Sequence, residues 1–154
     1  MIFASAIGSA GFVWWVFALI ASVFPARRAG AWRLLLAVAV AFLVNQYVLK
    51  PVFDRPRPFT VIAELAVIDA KPVTPSFPSG HAAMAFAGAL AGARMIPASA
   101  WILWPLGVLV AVSRIYIGVH WPTDVVAGAI VGLACAWFVL GGRANLAPPK
   151  TSAL

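Results

Sequence analysis

Five apolar segments, each about as long as a membrane-spanning helix, restrict what this chain can fold into. A helix needs about 20 predominantly apolar residues to cross the hydrocarbon core of a bilayer. Charged residues make up 10% of the chain, whereas a soluble domain carries about 25%. The sequence therefore predicts an all-α, integral membrane bundle of about five transmembrane helices, organised as a single domain over residues 1–154. The predicted spans are Ser5–Phe24, Ala31–Val48, Ser79–Ile96, Ala98–Tyr116 and Thr123–Leu140.

The two ends of the chain carry separate expectations. A cleaved signal peptide has its positive charge before the apolar core, but here Arg27 and Arg28 follow the first segment. We therefore expect a retained first span. Residues 142–154 contain glycine, proline and small residues and are expected to form a flexible tail. Cys135 is the one cysteine, so a disulfide framework within the chain is excluded.

The distribution of charge predicts an orientation. Five alternating spans place six basic residues on one side, while five basic residues, every acidic residue and both histidines fall on the other. If three of those five basic residues serve chemistry, the positive-inside rule assigns the first side to the cytoplasm. The polar cluster then faces outward, from what we expect to be a bacterial plasma membrane. The net charge of +7 does not indicate nucleic acid binding, because no soluble basic patch exists to hold it.

The longest polar connection lies between the second and third segments, and its prolines exclude one continuous helix. Within it, the apolar residues of "FTVIAELAVI" (residues 59–68) have a spacing typical of one helical face. That spacing predicts either a short helix on the membrane surface or a lid packed on the bundle.

Three polar clusters at segment ends have the composition of a phosphate pocket. Lys50, Arg57 and Arg114 supply cations, and guanidinium groups bind phosphate oxygens in pairs. Ser79 and Gly80 come directly before an apolar helix, whose free N–H groups favour an anion. The alternative is that these charges only anchor the helices at the membrane interface. That alternative does not explain why both histidines gather with them.

The two histidines occupy different contexts. His120 lies four residues before Asp124, with Pro122 between them to begin a helix. A carboxylate on one ring nitrogen fixes the tautomer and leaves the other nitrogen as a nucleophile or base. Asp124 alternatively only caps the fifth span. His81 lies at the start of the third span, where it can donate a proton to a leaving group.

These residues resemble the type 2 phosphatidic acid phosphatase superfamily of membrane lipid phosphatases. Its three motifs, KxxxxxxRP, PSGH and SRxxxxxHxxxD, match "KPVFDRPRP" from Lys50, "PSGH" from Pro78 and "SRIYIGVHWPTD" from Ser113. The resemblance covers residues 50–140. The family spacing selects Arg57 over Arg55 in "RPRP", which leaves Arg55 as a neighbouring or rim charge. Family members often have six spans, so the resemblance leaves open how many transmembrane spans precede the first motif.

The resemblance also implies a role for each matched residue. It implies that His120 attacks phosphorus to form a phosphohistidine, that Asp124 orients His120, and that His81 protonates the leaving group. Phosphate oxygens would be held by Lys50, Arg57, Ser79, Gly80, Ser113 and Arg114. No metal or other cofactor is implied.

The substrate is left open by the motifs. We expect a lipid phosphate or diphosphate, with undecaprenyl diphosphate first and phosphatidic acid, phosphatidylglycerol phosphate or lipid A phosphates as alternatives. Membrane lipids are the expected surroundings and nucleic acid is not an expected partner, while the oligomeric state is undetermined. A non-catalytic lipid-binding or transport protein is the alternative from another class, although binding alone would need only the cations. A structural membrane anchor would tolerate shuffling of these charges.

Overall fold

The computed structural model describes residues 11–65, 67–68 and 71–142, which form helices and connecting loops with no strand among them. The π-helical segment Val44–Leu49 joins the second helix to the third without a break, so that together they form one continuous rod. The helices are α1 (Phe12–Ser22), α2 (Arg28–Leu43), α3 (Lys50–Phe53), α4 (Pro58–Val61), α5 (Gly80–Met95), α6 (Ala100–Tyr116) and α7 (Pro122–Val139).

The five apolar segments coincide with α1, the α2 rod, α5, α6 and α7, which confirms the all-α membrane bundle. Among the described residues, three helical stretches are long and apolar enough to cross a membrane: Pro25–Val61, Pro97–Tyr116 and Pro122–Val139. The described part of α1 is a shorter apolar helix, and α5 has 16 residues, a rise of about 24 Å. The expected start of the first span at Ser5 and the expected tail from 143 onward lie outside the described residues.

Helix α5 lies at the centre of the bundle, where it packs against α2, α6 and α7. Its sequence is rich in alanine and glycine, and these small residues are buried on nearly every side of the helix. A helix that is apolar all round belongs inside a bundle, and small side chains let neighbouring backbones approach closely. The start of α5, which carries His81, is therefore surrounded by the other motif-bearing helices.

Two glycines of α7 fix how closely this helix approaches α5. A Cβ at Gly132 would lie 2.0 Å from the Ala83 carbonyl oxygen, and one at Gly128 would lie 2.3 Å from that of Ser79. Both distances are too short for any side chain, so the GxxxG spacing is required by backbone contact. The contact places the beginning of α7 beside the beginning of α5, where the second and third motifs meet.

Of the two alternatives for residues 59–68, the surface helix is wrong for most of the described residues, while the lid stays a prediction. Helix α4 ends at Val61, and Ile62 is already extended at φ −104° and ψ 98°. Thr60, Val61 and Ile62 are consecutive β-branched residues, which are restricted in a helix, and a single turn does not repay the cost of nucleation.

Candidate active site

The three sequence motifs meet at one cavity, of about 310 Å³, at the end of the bundle where α2 finishes and α5 and α7 begin. Both histidines line this cavity, together with the three predicted cations Lys50, Arg57 and Arg114. The three cations are 6%, 4% and 3% exposed, respectively. Buried cations require compensation, so an anion is the ligand that this cavity favours.

A loop ahead of α5 holds two of the cations in place. Lys50 Nζ donates to Thr74 Oγ1 at 2.9 Å. Arg57 Nε donates to the Thr74 carbonyl oxygen at 2.7 Å, and its Nη1 donates to the Val119 carbonyl oxygen at 2.8 Å. Thr74 thus links the first motif to the segment that leads into the second. The sequence alone did not identify Thr74, because no motif contains it. Its nearness to "PSGH" was the only signal that the sequence offered.

Arg114 enters the cavity from the last turn of α6. Its Nε and Nη2 donate to Ser113 Oγ at 3.2 and 3.1 Å, and Ser113 Oγ in turn donates to the Val110 carbonyl oxygen at 2.7 Å. Ser113 is fully buried and does not line the cavity. The structure therefore places Ser113 behind Arg114, as a support for the guanidinium.

Ser79 and Gly80 begin α5 but differ in their position. Ser79 is the N-cap of α5: its Oγ accepts from the Ala82 N–H at 3.5 Å, and its own N–H donates to the Asp124 carbonyl oxygen at 2.9 Å. Gly80 lines the cavity, whereas Ser79 does not. A Cβ at Gly80 would lie 3.3 Å from Asn45 Oδ1, so a larger residue would crowd the π-helical segment.

His120 lies between α6 and α7, with its Nδ1 directed toward Asp124. The distance from Nδ1 to Asp124 Oδ2 is 3.5 Å, and Nδ1 lies equally far from Ser76 Oγ. Burial lowers the pKa of His120 below its usual value, and the nearby Arg57 and Lys50 act in the same direction against the opposing effect of Asp124. The ring is therefore favoured in its neutral form, which a nucleophile requires.

The Asp124 carboxylate is completely buried and accepts several hydrogen bonds. Arg55 Nη1 donates to Oδ1 at 2.8 Å, while Ser76 Oγ and the Trp121 N–H both donate to Oδ2. The contact with Trp121 is the helix cap considered in the sequence analysis, so Asp124 caps α7 and faces His120 at the same time. Arg55 was expected to be a neighbouring or rim charge, and the structure shows it as a neighbour, because its guanidinium reaches the buried carboxylate.

The predicted site residues are thus gathered at one end of the molecule, although three of them, Ser79, Ser113 and Asp124, stand behind the cavity wall. Ser76 and Arg55 join them as contacts that the motif analysis missed. The sequence offered "RPRP" as a signal for Arg55, whereas Ser76 had none beyond its place before "PSGH". The catalytic and phosphate-binding roles stay predictions at this point.

Comparison with known families gives one match that covers most of the chain. The sequence profile described as the PAP2 superfamily matches residues 30–146, which include all three motifs. An undecaprenyl-diphosphatase of Sulfolobus acidocaldarius is 35% identical over 133 residues, covering 86% of this chain and 64% of that protein. The chain spans about half to two thirds of the length of the curated relatives that it matches.

Two solved structures share the fold. One is a transmembrane PAP2-type phosphatidylglycerolphosphate phosphatase from Bacillus subtilis, with a TM-score of 0.76 and 25% identity over 97% of this chain and 78% of that one. The other is LpxE from Aquifex aeolicus, with a TM-score of 0.76 and 29% identity over 91% of this chain and 82% of that one.

Proposed function

The chain belongs to the PAP2 superfamily, and from that membership and its cavity we propose that it hydrolyses a lipid phosphate or diphosphate without a metal ion. The observation that carries this proposal is the meeting of three buried cations and two histidines in one cavity. Cations alone would suit a lipid-binding protein. A neutral histidine backed by a carboxylate adds a nucleophile, which binding does not need.

In the proposed first step, His120 attacks phosphorus through Nε2. Because Nδ1 faces Ser76 and Asp124, the proton is held on that side and the lone pair on Nε2 points toward the cavity. A bond forms between Nε2 and phosphorus while the bond from phosphorus to the leaving oxygen breaks. Lys50, Arg57 and Arg114 stabilise the charge that develops on the equatorial oxygens.

His81 and a water molecule complete the reaction. His81 lies in the first turn of α5 and lines the same cavity, so the negative charge of a bound phosphate would favour its protonated ring, which is placed to give a proton to the departing oxygen. The resulting neutral imidazole then takes a proton from water. The hydroxide attacks phosphorus, the bond to Nε2 breaks, and inorganic phosphate leaves with His120 restored.

We propose undecaprenyl diphosphate as the first substrate to test, because one curated relative is an undecaprenyl-diphosphatase. Phosphatidylglycerol phosphate has comparable support, since one structural neighbour is a phosphatidylglycerolphosphate phosphatase. Phosphatidic acid and lipid A phosphates stay as alternatives. Small phosphate esters without a lipid tail should be poor substrates, because Phe42 and Met84 also line the cavity.

The decisive experiment is phosphate release from the purified chain in detergent with a panel of these lipids. We expect turnover by the wild type and none by His120→Ala, together with an acid-labile phosphoenzyme in the wild type alone. Phosphate release at the wild-type rate by His120→Ala would contradict the mechanism. Binding of lipid phosphates without any release would favour the lipid-binding alternative.

We also propose that the cavity faces the extracytoplasmic side of a bacterial plasma membrane. In a Cys135→Ser background, a cysteine at Lys71 should react with an impermeant thiol reagent added to intact cells, and one at Arg28 should not. Arg28 begins the α2 rod, whereas Lys71 lies in the connection between α4 and α5, with its Nζ 5.9 Å from the centre of the Phe59 ring, and both residues are exposed. The reverse labelling pattern would place the cavity on the cytoplasmic side.

A further inference from the structure

The contacts around Asp124 show which groups fix the position of its carboxylate. The 3.5 Å between His120 Nδ1 and Asp124 Oδ2 exceeds the 2.7–3.2 Å of an ordinary N–H···O hydrogen bond. The hydrogen bonds that Asp124 accepts from Arg55, at 2.8 Å, and from the Trp121 N–H, at 2.9 Å, fall within this ordinary range, and the Ser76 hydroxyl is closer still. The carboxylate is therefore held by these donors, and His120 approaches a group already in place.

Arg55 and Ser76 form one structural unit. The Ser76 N–H donates to the Arg55 carbonyl oxygen at 2.8 Å, which ties the two residues together across the loop between α3 and α5. Arg55 is also fixed from two other directions. Its Nη1 donates to Thr123 Oγ1 at 2.7 Å, and its guanidinium carbon lies 5.4 Å from the centre of the Trp121 ring. The Arg55 side chain is 38% exposed, yet these contacts hold it in one orientation.

We propose that Arg55 and Ser76 are positioning residues that fix Asp124 against His120, and that the charge of Arg55 limits how strongly Asp124 stabilises a protonated imidazole. This inference rests on the proposed role of His120 as the nucleophile. A carboxylate with no cation beside it would hold a proton on His120 and remove the lone pair that attacks phosphorus. A carboxylate shared with a guanidinium still orients the ring while attracting the imidazolium less.

Arg55 differs in position from the other charged groups near His120. Lys50, Arg57, His81 and Arg114 line the cavity with His120, whereas Asp124 and Arg55 stand behind its ring. The first four would touch a bound phosphate, so their loss would weaken substrate binding as well as chemistry. Arg55 does not line that cavity, and its loss should act on the chemical step through Asp124.

The test is an NMR titration of the His120 imidazole in detergent, without substrate. The chain has two histidines, so the His120→Ala spectrum assigns the signals. We expect Arg55→Ala to raise the titration midpoint of His120, Arg55→Lys to leave it near the wild-type value, and Ser76→Ala to raise it as well. Thr123→Val is the matched control, because it removes the second bond of the same Nη1 and leaves the ion pair with Asp124 intact. Unchanged midpoints in both Arg55→Ala and Ser76→Ala would overturn the proposal.

Kinetics supply the second readout. Arg55→Ala should lower kcat by about 10- to 100-fold, by analogy with the loss of a group that orients a metal-ligating histidine, with little change in KM. In an Asp124→Asn background the same substitution should change kcat by less than about twofold, because the carboxylate on which it acts is gone. Equal losses in both backgrounds would show that Arg55 acts independently of Asp124. If Arg55→Ala does not fold, the NMR titration and the kinetics are both measured on Ser76→Ala.

Failure of this inference is distinguishable from failure of the proposed function. A wild-type chain that releases no phosphate from any lipid would refute the function, while the titration would still report whether Arg55 acts on His120. A wild-type chain that is active, with a His120 midpoint insensitive to both substitutions, would refute the inference alone.

Discussion

The two ends of the helical bundle both carry arginines beside a cavity, yet they differ in how those arginines are held. At the motif-bearing end the cavity is about 310 Å³, and Arg57 and Arg114 are almost completely buried in its wall. At the opposite end a cavity of about 140 Å³ is lined by Arg33, which is exposed, and Arg94, which is half-buried.

The chemical groups beside those arginines differ even more. Both histidines line the first cavity and Asp124 supports one of them, whereas neither histidine nor any acidic residue lines the second. The arginines of the second end agree with the positive-inside rule, which needs only charge near the membrane surface. Positive charge beside a cavity therefore does not by itself define an active site. Burial of the cations and a histidine supported by a carboxylate distinguish the first end.

The largest expected difference between the two ends comes from removing one arginine at each. Arg57→Ala should lower kcat/KM by about 10² or more, as expected for loss of a group that stabilises transition-state charge. Arg94→Ala is the matched control, since Arg94 also donates to a backbone carbonyl oxygen, that of Gly142, at 3.0 Å. It should change kcat/KM by less than about twofold. Equal losses in phosphate-release assays would mean that both ends contribute to activity.

The next effect separates the two histidines within the motif-bearing end. A phosphate monoester expels an alkoxide, which is about as strong a base as hydroxide, while a diphosphate expels a phosphate with a second pKa of about 6. His81→Ala should therefore lower kcat far more on phosphatidic acid than on undecaprenyl diphosphate, by about tenfold or more. The measurement is kcat on both lipids in wild type and variant. The same fractional loss on both lipids would show that His81 binds phosphate without acting as an acid.

A smaller effect is the pH dependence of activity, which should arise at the motif-bearing end because both histidines lie there. The pKa of His120 is lowered in the folded chain, so the ring stays neutral as the pH falls through about 6.5, the value for an exposed histidine. We expect kcat/KM on undecaprenyl diphosphate to hold through that range and to fall only at lower pH. Stability should decrease below pH 6.5, because the unfolded chain takes up a proton there and the folded chain does not. An acid limb of kcat/KM centred above pH 6.5 would contradict a buried, neutral nucleophile.

The smallest expected effect is that of chelation. If the cations at the motif-bearing end supply all the charge that phosphate needs, EDTA should leave the rate of phosphate release unchanged within error. Vanadate should inhibit, because it takes up the pentacoordinate geometry of the transition state. Activity lost in EDTA and restored by magnesium would show that the arginines and Lys50 are insufficient.

The sequence by itself determined the helices and most of the residues at the cavity. Apolar length predicted α1, α2, α5, α6 and α7, because a chain in lipid has to satisfy its backbone hydrogen bonds within each helix. The motif spacing identified Lys50, Arg57, His81, His120 and Asp124, and the fold brings them to one end. Local periodicity was sufficient here because the motifs lie at or near helix ends, whose positions in a bundle follow from helix length and direction.

Only the tertiary structure decided how the side chains of the loops are directed. In "RPRP", Arg57 lines the cavity and Arg55 turns behind it to Asp124, a difference that spacing along an irregular loop does not specify. Ser76 and Thr74 became recognisable only when their distant partners came within hydrogen-bond distance. The backbone contact of Gly132 with Ala83 likewise joins residues far apart in sequence. Hydrogen bonds and packing between distant segments depend on three-dimensional proximity, which the residue pattern of either segment alone does not contain.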